Sequence, residues 1–549
     1  MYYPAPKKAD INGEVLLPVD VSLAFSCEPP LDADKFAAVF GDLKQSKEPA
    51  VRIKAAFAAP EINAGEEAFT LDIASESGTL TVTVYCLTDA ALVRALFKIK
   101  NMLREKTFPL GRISDHPSFA RRGYIEGFYG KPWSHCQRLD MMEFMASKGE
   151  NCVYYAPKDD PYHRRLWREP YPETELQKLR ELSEKAKRLC MSFSYCIAPG
   201  LSIRYTDEKD IAALYAKLSQ LYAAGIRSFG LLLDDIPEGF SCAEDGEKYP
   251  DFVSAHIDLV NGCYAFIKSL DTACTLTVCP TVYWGKGDDD YDVRLGNNIP
   301  EDVFLFFTGR DICSREITCA EAMYIKEKTA HAPLYWDNFP VNDAEMFKEM
   351  HLAPVNGREA RLYRYASGMI SNGMEYFECT KFPFSTAADY LWAPESYAPE
   401  EAFARALNAL LPEHEVNDFR LLADHLRTSC LRDENSRIMG SYLSKATALI
   451  ESGEREKAIP YAEKYTLMAN EARKALAKSS KEVYKELCEW IEKFSLMCDI
   501  LTDALALLKN EVPDIPAAKK ELQRKMNAYN NCATVLTAFC FREYTETLL

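Results

Sequence analysis

The sequence predicts an α/β protein: a (β/α)8 TIM-type barrel with an N-terminal α+β domain before it and a C-terminal helical bundle after it. Three observations lead there. Between Arg122 and Pro399, short apolar runs alternate with helix-period segments, the texture of a parallel sheet covered on both faces. Ahead of that region, residues 79–87 (TLTVTVYCL) alternate polar and apolar side chains, as a half-buried strand does. Beyond it, strand patterns stop, and Ala, Leu, Glu and Lys recur at helical spacing. A chain of 549 residues has room for several domains. The expected division is 1–115 for the α+β domain, 116–398 for the barrel and 399–549 for the bundle.

In the first zone, the alternating run is followed by DAALVRALFKIKNMLRE, which has helical periodicity. The barrel zone holds eight runs: GYIEGF (123–128), NCVYYAP (151–157), SFSYCIAP (192–199), SFGLLLDD (228–235), LTVCPTVY (276–283), DVFLFFTG (302–309), APLYWDN (332–338) and GMISNG (368–373). Most gaps between them read as amphipathic helices. Ile211, Leu214, Leu218 and Leu221 share one face, and Gly225 is placed to end that helix. Thr174 and Gln177 have capping-box spacing ahead of Leu179 and Leu182. Eight such units fit a closed barrel. A doubly wound open sheet is the alternative, but no Gly-rich phosphate loop follows the first run. In the last zone, Leu487, Trp490, Ile491 and Phe494 form an apolar stripe suited to a bundle core.

The charge balance narrows the partners. With 65 basic and 82 acidic residues the formal net charge is -17, which argues against nucleic acid, whose binding rests on Lys and Arg. No apolar run is long enough to span a bilayer, and residues 1–20 lack a basic segment followed by an apolar one. The 18 cysteines are scattered without paired CxxC spacing. They read as buried free thiols rather than zinc ligands, which points to a reducing, cytoplasmic setting. No metal or organic cofactor is expected.

A barrel places its chemistry at the C-terminal ends of its strands, and there the fourth run ends on two adjacent carboxylates, Asp234 and Asp235. Burying either is costly unless it is paired. A solvated turn is the plain alternative. The other strand ends supply Gly127 and Tyr129, then Lys158, Tyr283, Thr308, Trp336 with Asn338 and Asp343, and Asn372. Each has a structural reading as a turn cap, a surface ion pair or rim packing. Together, aromatic rings beside Asn, Asp and Lys suit a polyhydroxylated ligand with flat apolar faces, such as a sugar. Asp159 and Asp160 sit in a turn-starting context, DDPYH. Two adjacent acids more readily approach neighbouring points of one sugar than opposite faces of its ring. That geometry suits substrate assistance rather than the usual pair of opposed carboxylates.

The motifs RGYIEGFYGKPWS, YYAPKDDPYHRRLWREPYP, FGLLLDDIPEG, CPTVY and WDNFPVND resemble glycoside hydrolase family 84. These are the O-GlcNAcase-like β-N-acetylglucosaminidases and their bacterial relatives, some of them labelled hyaluronidases. The resemblance runs through residues 120–395, and the flanking domains are similar to those of bacterial members. It implies a retaining exo-β-N-acetylglucosaminidase working through the substrate's 2-acetamido group and an oxazoline intermediate. Asp234 would orient the acetamido group, Asp235 would act as general acid and then base, and Tyr283 would hydrogen-bond near the acetamido carbonyl. Gly127, Lys158, Asn338, Asp343 and Asn372 would bind the sugar. Tyr129, Cys279, Thr308, Ile312 and Trp336 would shape the acetamido pocket. The implied partner is an N-acetylglucosamine-containing glycan or glycoprotein. A glycosidase for longer N-acetylhexosamine glycans (hyaluronidase-like) and a non-catalytic glycan-binding module are the alternatives. Val282, Phe307 and Asp337 depart from the residues common in the family. By strand parity, Val282 and Asp337 face away from the sugar.

Overall fold

The computed structural model describes residues 4–17, 21–41, 46–76, 78–237, 239–429, 431–432, 434–537 and 539–549. The chain divides into two compact units. The first comprises Met1–Asn338, Gly357–Asn372 and Ala387–Ala398, and the second Phe339–Asn356, Gly373–Thr386 and Pro399–Leu549.

The first unit opens with a six-stranded sheet of β1 (Lys8–Leu16), β2 (Leu23–Cys27), β3 (Val51–Phe57), β4 (Phe69–Glu76), β5 (Thr79–Cys86) and β6 (Thr107–Asp115), in the order β1-β6-β4-β5-β3-β2. Alternation along β5 puts Leu80, Val82, Val84 and Cys86 inside. The helix Asp89–Glu105, capped by the Thr88 side chain, packs against β4, β5 and β6.

Eight parallel strands then close into a barrel: β7 (Arg121–Glu126), β8 (Cys152–Tyr155), β9 (Ser192–Ile197), β10 (Ser228–Leu232), β11 (Thr275–Cys279), β12 (Phe304–Phe307), β13 (Leu334–Asp337) and β14 (Gly368–Asn372). β14 pairs with β7 to complete the ring. Ile125, Tyr154, Cys196, Leu232, Cys279, Phe306 and Trp336 belong to one buried cluster. Glu67, in the loop before β4, ties the sheet to the barrel. It accepts from Arg94 Nε at 2.8 Å, Arg122 Nη1 at 2.6 Å and Asn151 Nδ2 at 3.0 Å. Burial opposes the charge of Glu67, but the Arg122 and Arg94 guanidiniums prevail and lower its pKa to about 2.

Two local expectations need correction. The helix Glu173–Arg188 starts one residue before Thr174, at Glu173, and its N-cap Pro172 offers no side-chain cap. Thr174 therefore lies inside the first turn, where its side chain is not placed to cap the helix. A capping box does form at Ser134 and Gln137, before the helix His135–Ser147. Strand–helix alternation also lapses after β13, where the described residues form only short 3-10 turns, Ala344–Met346 and Leu362–Arg364. Pro340, Pro354 and Gly357 interrupt that stretch.

The second unit is helical. Helices such as Arg455–Leu476, Cys488–Leu508 and Ile515–Asn531 share a core with Trp490, Phe494, Met497 and Leu501 at its centre. Met350, Leu352, Met374 and Phe382 join that same core from the two inserted segments. No pattern in the sequence announces that membership. Among the described residues, no helix is long and apolar enough to cross a membrane.

Candidate active site

The strand β10 ends at Leu232, and Leu233 extends its pairing by donating its N–H to the Cys279 carbonyl at 2.8 Å. Asp234 and Asp235 follow at once. Asp235 takes a left-handed backbone conformation, φ 51°, which breaks the strand's alternation and lets both carboxylates be used on the same side of the barrel end. Their surroundings differ. Asp234 is largely buried and accepts from Lys158 Nζ at 3.4 Å. Asp235 is exposed and accepts from two phenols, Tyr129 at 2.9 Å and Tyr283 at 3.2 Å.

Lys158 stands just past β8, its ammonium 5.0 Å from the Tyr129 ring centre and 6.0 Å from that of Trp336. Burial disfavours its charge, but the Asp234 carboxylate, with Tyr129 and Asp235, raises its pKa above the ordinary value. Lys158 therefore remains an ammonium and neutralises Asp234. Burial, reinforced by Asp235, likewise raises the Tyr283 phenol, so that group works as a neutral donor. Burial and the nearby Asp234 push the Cys279 thiol well up, leaving it a small apolar filler of the barrel interior.

The loop GFYGKPW follows β7 and carries Gly127 and Tyr129. It is held by Glu126, which accepts from the Trp133 N–H at 3.1 Å and from Arg138 at 2.6 and 2.8 Å. A Cβ on Gly127 would lie 2.5 Å from Trp336 Cζ2, so the ring's close approach requires glycine. Gly127 N–H donates to Asn372 Oδ1 at 3.2 Å, Asn372 Nδ2 to Asn338 Oδ1 at 3.1 Å, and Asn338 Nδ2 to the Ile312 carbonyl at 2.9 Å. This chain fixes both amide orientations across the ends of β7, β13 and β14. Thr308 joins through its N–H to the Tyr283 carbonyl at 2.8 Å, and the Ile312 side chain is exposed. Asp343 belongs to the second unit, where it precedes the turn Ala344–Met346.

Asp160 and Asp337, both placed outside the site by the sequence, have structural partners. Asp160 accepts from the Tyr155 and Tyr171 hydroxyls at 2.9 and 2.7 Å and from the Tyr162 N–H at 2.8 Å. Asp337 points away from the barrel interior into a buried ion pair, accepting from Arg358 Nε at 2.8 Å. Sequence reasoning missed Arg164, whose guanidinium reaches the Tyr129 hydroxyl at 3.1 Å and the Asp235 carbonyl at 3.4 Å. Its setting, HRRLWRE, reads as a solvated basic run. No group of three or more His, Cys, Asp or Glu side chains able to hold a metal occurs among the described residues.

A family model of beta-N-acetylglucosaminidases matches residues 122–424. The protein O-GlcNAcase of Rattus norvegicus is 32% identical over 274 residues, which cover 49% of this chain and 29% of the relative. The match thus spans less than a third of that relative's length. The solved structure of a mutant Thermobaculum terrenum O-GlcNAc hydrolase is similar with a TM-score of 0.75 and 30% identity, over 79% of this chain and 95% of the other. The structure of CpGH84B is similar in fold over 100% of this chain and 99% of its own, with a TM-score of 0.84 and 23% identity.

Proposed function

Because the chain belongs to the beta-N-acetylglucosaminidase family, we propose that it is a retaining exo-β-N-acetylglucosaminidase that releases N-acetylglucosamine from a glycan or glycoprotein. The observation that carries this reading is the pair at the end of β10: two adjacent carboxylates, one neutralised by an ammonium and the other gripped by two phenols. Different surroundings are what two different jobs require. An O-GlcNAc-bearing protein is the substrate that the names of the relatives support.

In the proposed mechanism the acetamido carbonyl oxygen attacks the anomeric carbon as the glycosidic bond breaks. Asp235 gives its proton to the departing oxygen. Asp234 accepts a hydrogen bond from the acetamido N–H and stabilises the positive charge that builds there as the oxazoline ring closes. Tyr283 donates its O–H toward the acetamido oxygen. Water then adds to the anomeric carbon, Asp235 takes its proton, and the oxazoline reopens, so the anomeric configuration is retained. Lys158 donates to Asp234 and holds its carboxylate in place. Asn338 and Asn372 offer amide groups to the sugar hydroxyls.

The test is hydrolysis of a methoxyphenyl N-acetyl-β-glucosaminide. Asp235→Asn should lose about 10²–10⁴-fold in kcat/KM, the usual worth of a general acid. Asp234→Asn should lose about 10²–10³-fold, as for removal of one charge-stabilising contact. Wild-type rates in both variants would remove the assignment.

A further inference from the structure

We propose that Arg164 is a positioning residue for Asp235, acting through the Tyr129 hydroxyl and the Asp235 backbone rather than on the sugar. This inference rests on the proposed acid–base role of Asp235. One guanidinium arm, Nη1, donates to the Tyr129 oxygen at 3.1 Å, and that hydroxyl donates onward to Asp235 Oδ2 at 2.9 Å. The other arm, Nη2, donates to the Asp235 carbonyl at 3.4 Å. The two contacts converge on one residue from different directions, on its carboxylate and on its main chain.

The main-chain contact has a specific task. Asp235 sits at φ 51°, a left-handed conformation that residues other than glycine seldom adopt. A donor on its carbonyl holds the peptide in that orientation. The relay through Tyr129 has another task. A phenol that receives a cationic hydrogen bond on its oxygen becomes a stronger donor through its own proton, so Asp235 Oδ2 is held by a strengthened bond. Oδ1 is left to Tyr283, the phenol assigned to the acetamido group. When substrate takes the Tyr283 hydroxyl, Oδ1 is freed to serve the leaving oxygen while Tyr129 keeps the carboxylate aimed.

Arg164 is itself anchored on a fixed loop. Asp160 ties the start of that loop to Tyr155 and Tyr171. His163, next to Arg164, is fully buried, and its Nδ1–H donates to the Cys196 carbonyl at 2.7 Å. Burial lowers the His163 pKa to about 4, so the ring is neutral near pH 7. The guanidinium fork spans two acceptors, which a lysine ammonium cannot reproduce.

The experiment compares kcat/KM of wild type, Arg164→Gln and Arg164→Lys on two aryl N-acetyl-β-glucosaminides. The methoxyphenyl leaving group needs a proton, and the dinitrophenyl group departs with little help. Arg164→Gln should slow the methoxyphenyl glycoside by about 10–100-fold, the scale of a misaligned catalytic group, and the dinitrophenyl glycoside by a much smaller factor. The ratio of the two rates does not depend on how much of the protein is folded. Arg164→Lys should recover only part of the loss. Equal losses on both substrates, no loss, or full recovery by lysine would each overturn the role of Arg164 alone. A wild-type protein that cleaves neither glycoside would overturn the glycosidase reading beneath it.

Discussion

Asp235 shows how much one residue's setting decides. Its left-handed backbone and its two phenol partners are invisible in the string DDIPEG, because both arise from residues of distant segments, Tyr129, Arg164 and Tyr283. What the string does reveal is the break itself, since two charges directly after an apolar run mark a strand end. The parity argument for Asp337 held because alternation is a local property: Trp336 belongs to the barrel's interior cluster, while Asp337 pairs with Arg358. Nothing in the sequence around Glu150 singles it out. It is fully buried ahead of β8, and neither carboxyl oxygen has a hydrogen-bond partner among the described residues. Burial pushes its pKa up to about 8, with Arg122 and Arg94 offsetting only part of the cost. A folded-state pKa above the unfolded value means stability that is intact below pH 4.5 and lost as pH rises toward 8. The loss is about 1.4 kcal/mol for each pH unit crossed. Glu150→Gln should therefore raise the melting temperature more at pH 8 than at pH 5. A shift of equal size at both values would contradict the assignment.

At the scale of elements, the barrel strands were legible because strands buried on both faces carry near-continuous apolar runs, and each of the eight observed strands overlaps one such run. The fine placement of helix starts was less so. Thr174 has capping-box spacing to Gln177, yet Glu173–Arg188 starts one residue earlier, after Pro172, and has no side-chain cap. The close fit of β7 against β13 was likewise hidden, since it depends on Gly127 leaving room for the Trp336 ring. Gly127→Ala tests that fit. A methyl group 2.5 Å from Trp336 Cζ2 must displace the ring, and overpacking of this kind costs about 1–3 kcal/mol. Urea denaturation should show that loss, with a raised KM because the ring also faces Lys158. Unchanged stability and unchanged KM would show that the ends of the two strands are not coupled.

At the scale of the whole molecule, composition and charge weigh against a nucleic-acid partner but do not say which core a segment joins. Residues 339–356 and 373–386 lie within the expected barrel range, yet Met350, Leu352 and Phe382 belong to the helical core. Membership of a core is a long-range property, and apolar side chains read alike whichever core receives them. The N-terminal sheet and the barrel, by contrast, share a buried charged junction at Glu67, Arg94 and Arg122. In the proposed mechanism the substrate's own amide is the nucleophile, with Asp234 and Asp235 dividing the remaining work. The most direct measurement is kcat/KM for aryl glycosides whose acetamido methyl carries none, one, two or three fluorines, since fluorine withdraws electrons from the attacking carbonyl oxygen. The rate should fall steeply with each fluorine added. A rate indifferent to fluorination would mean that another group attacks the anomeric carbon.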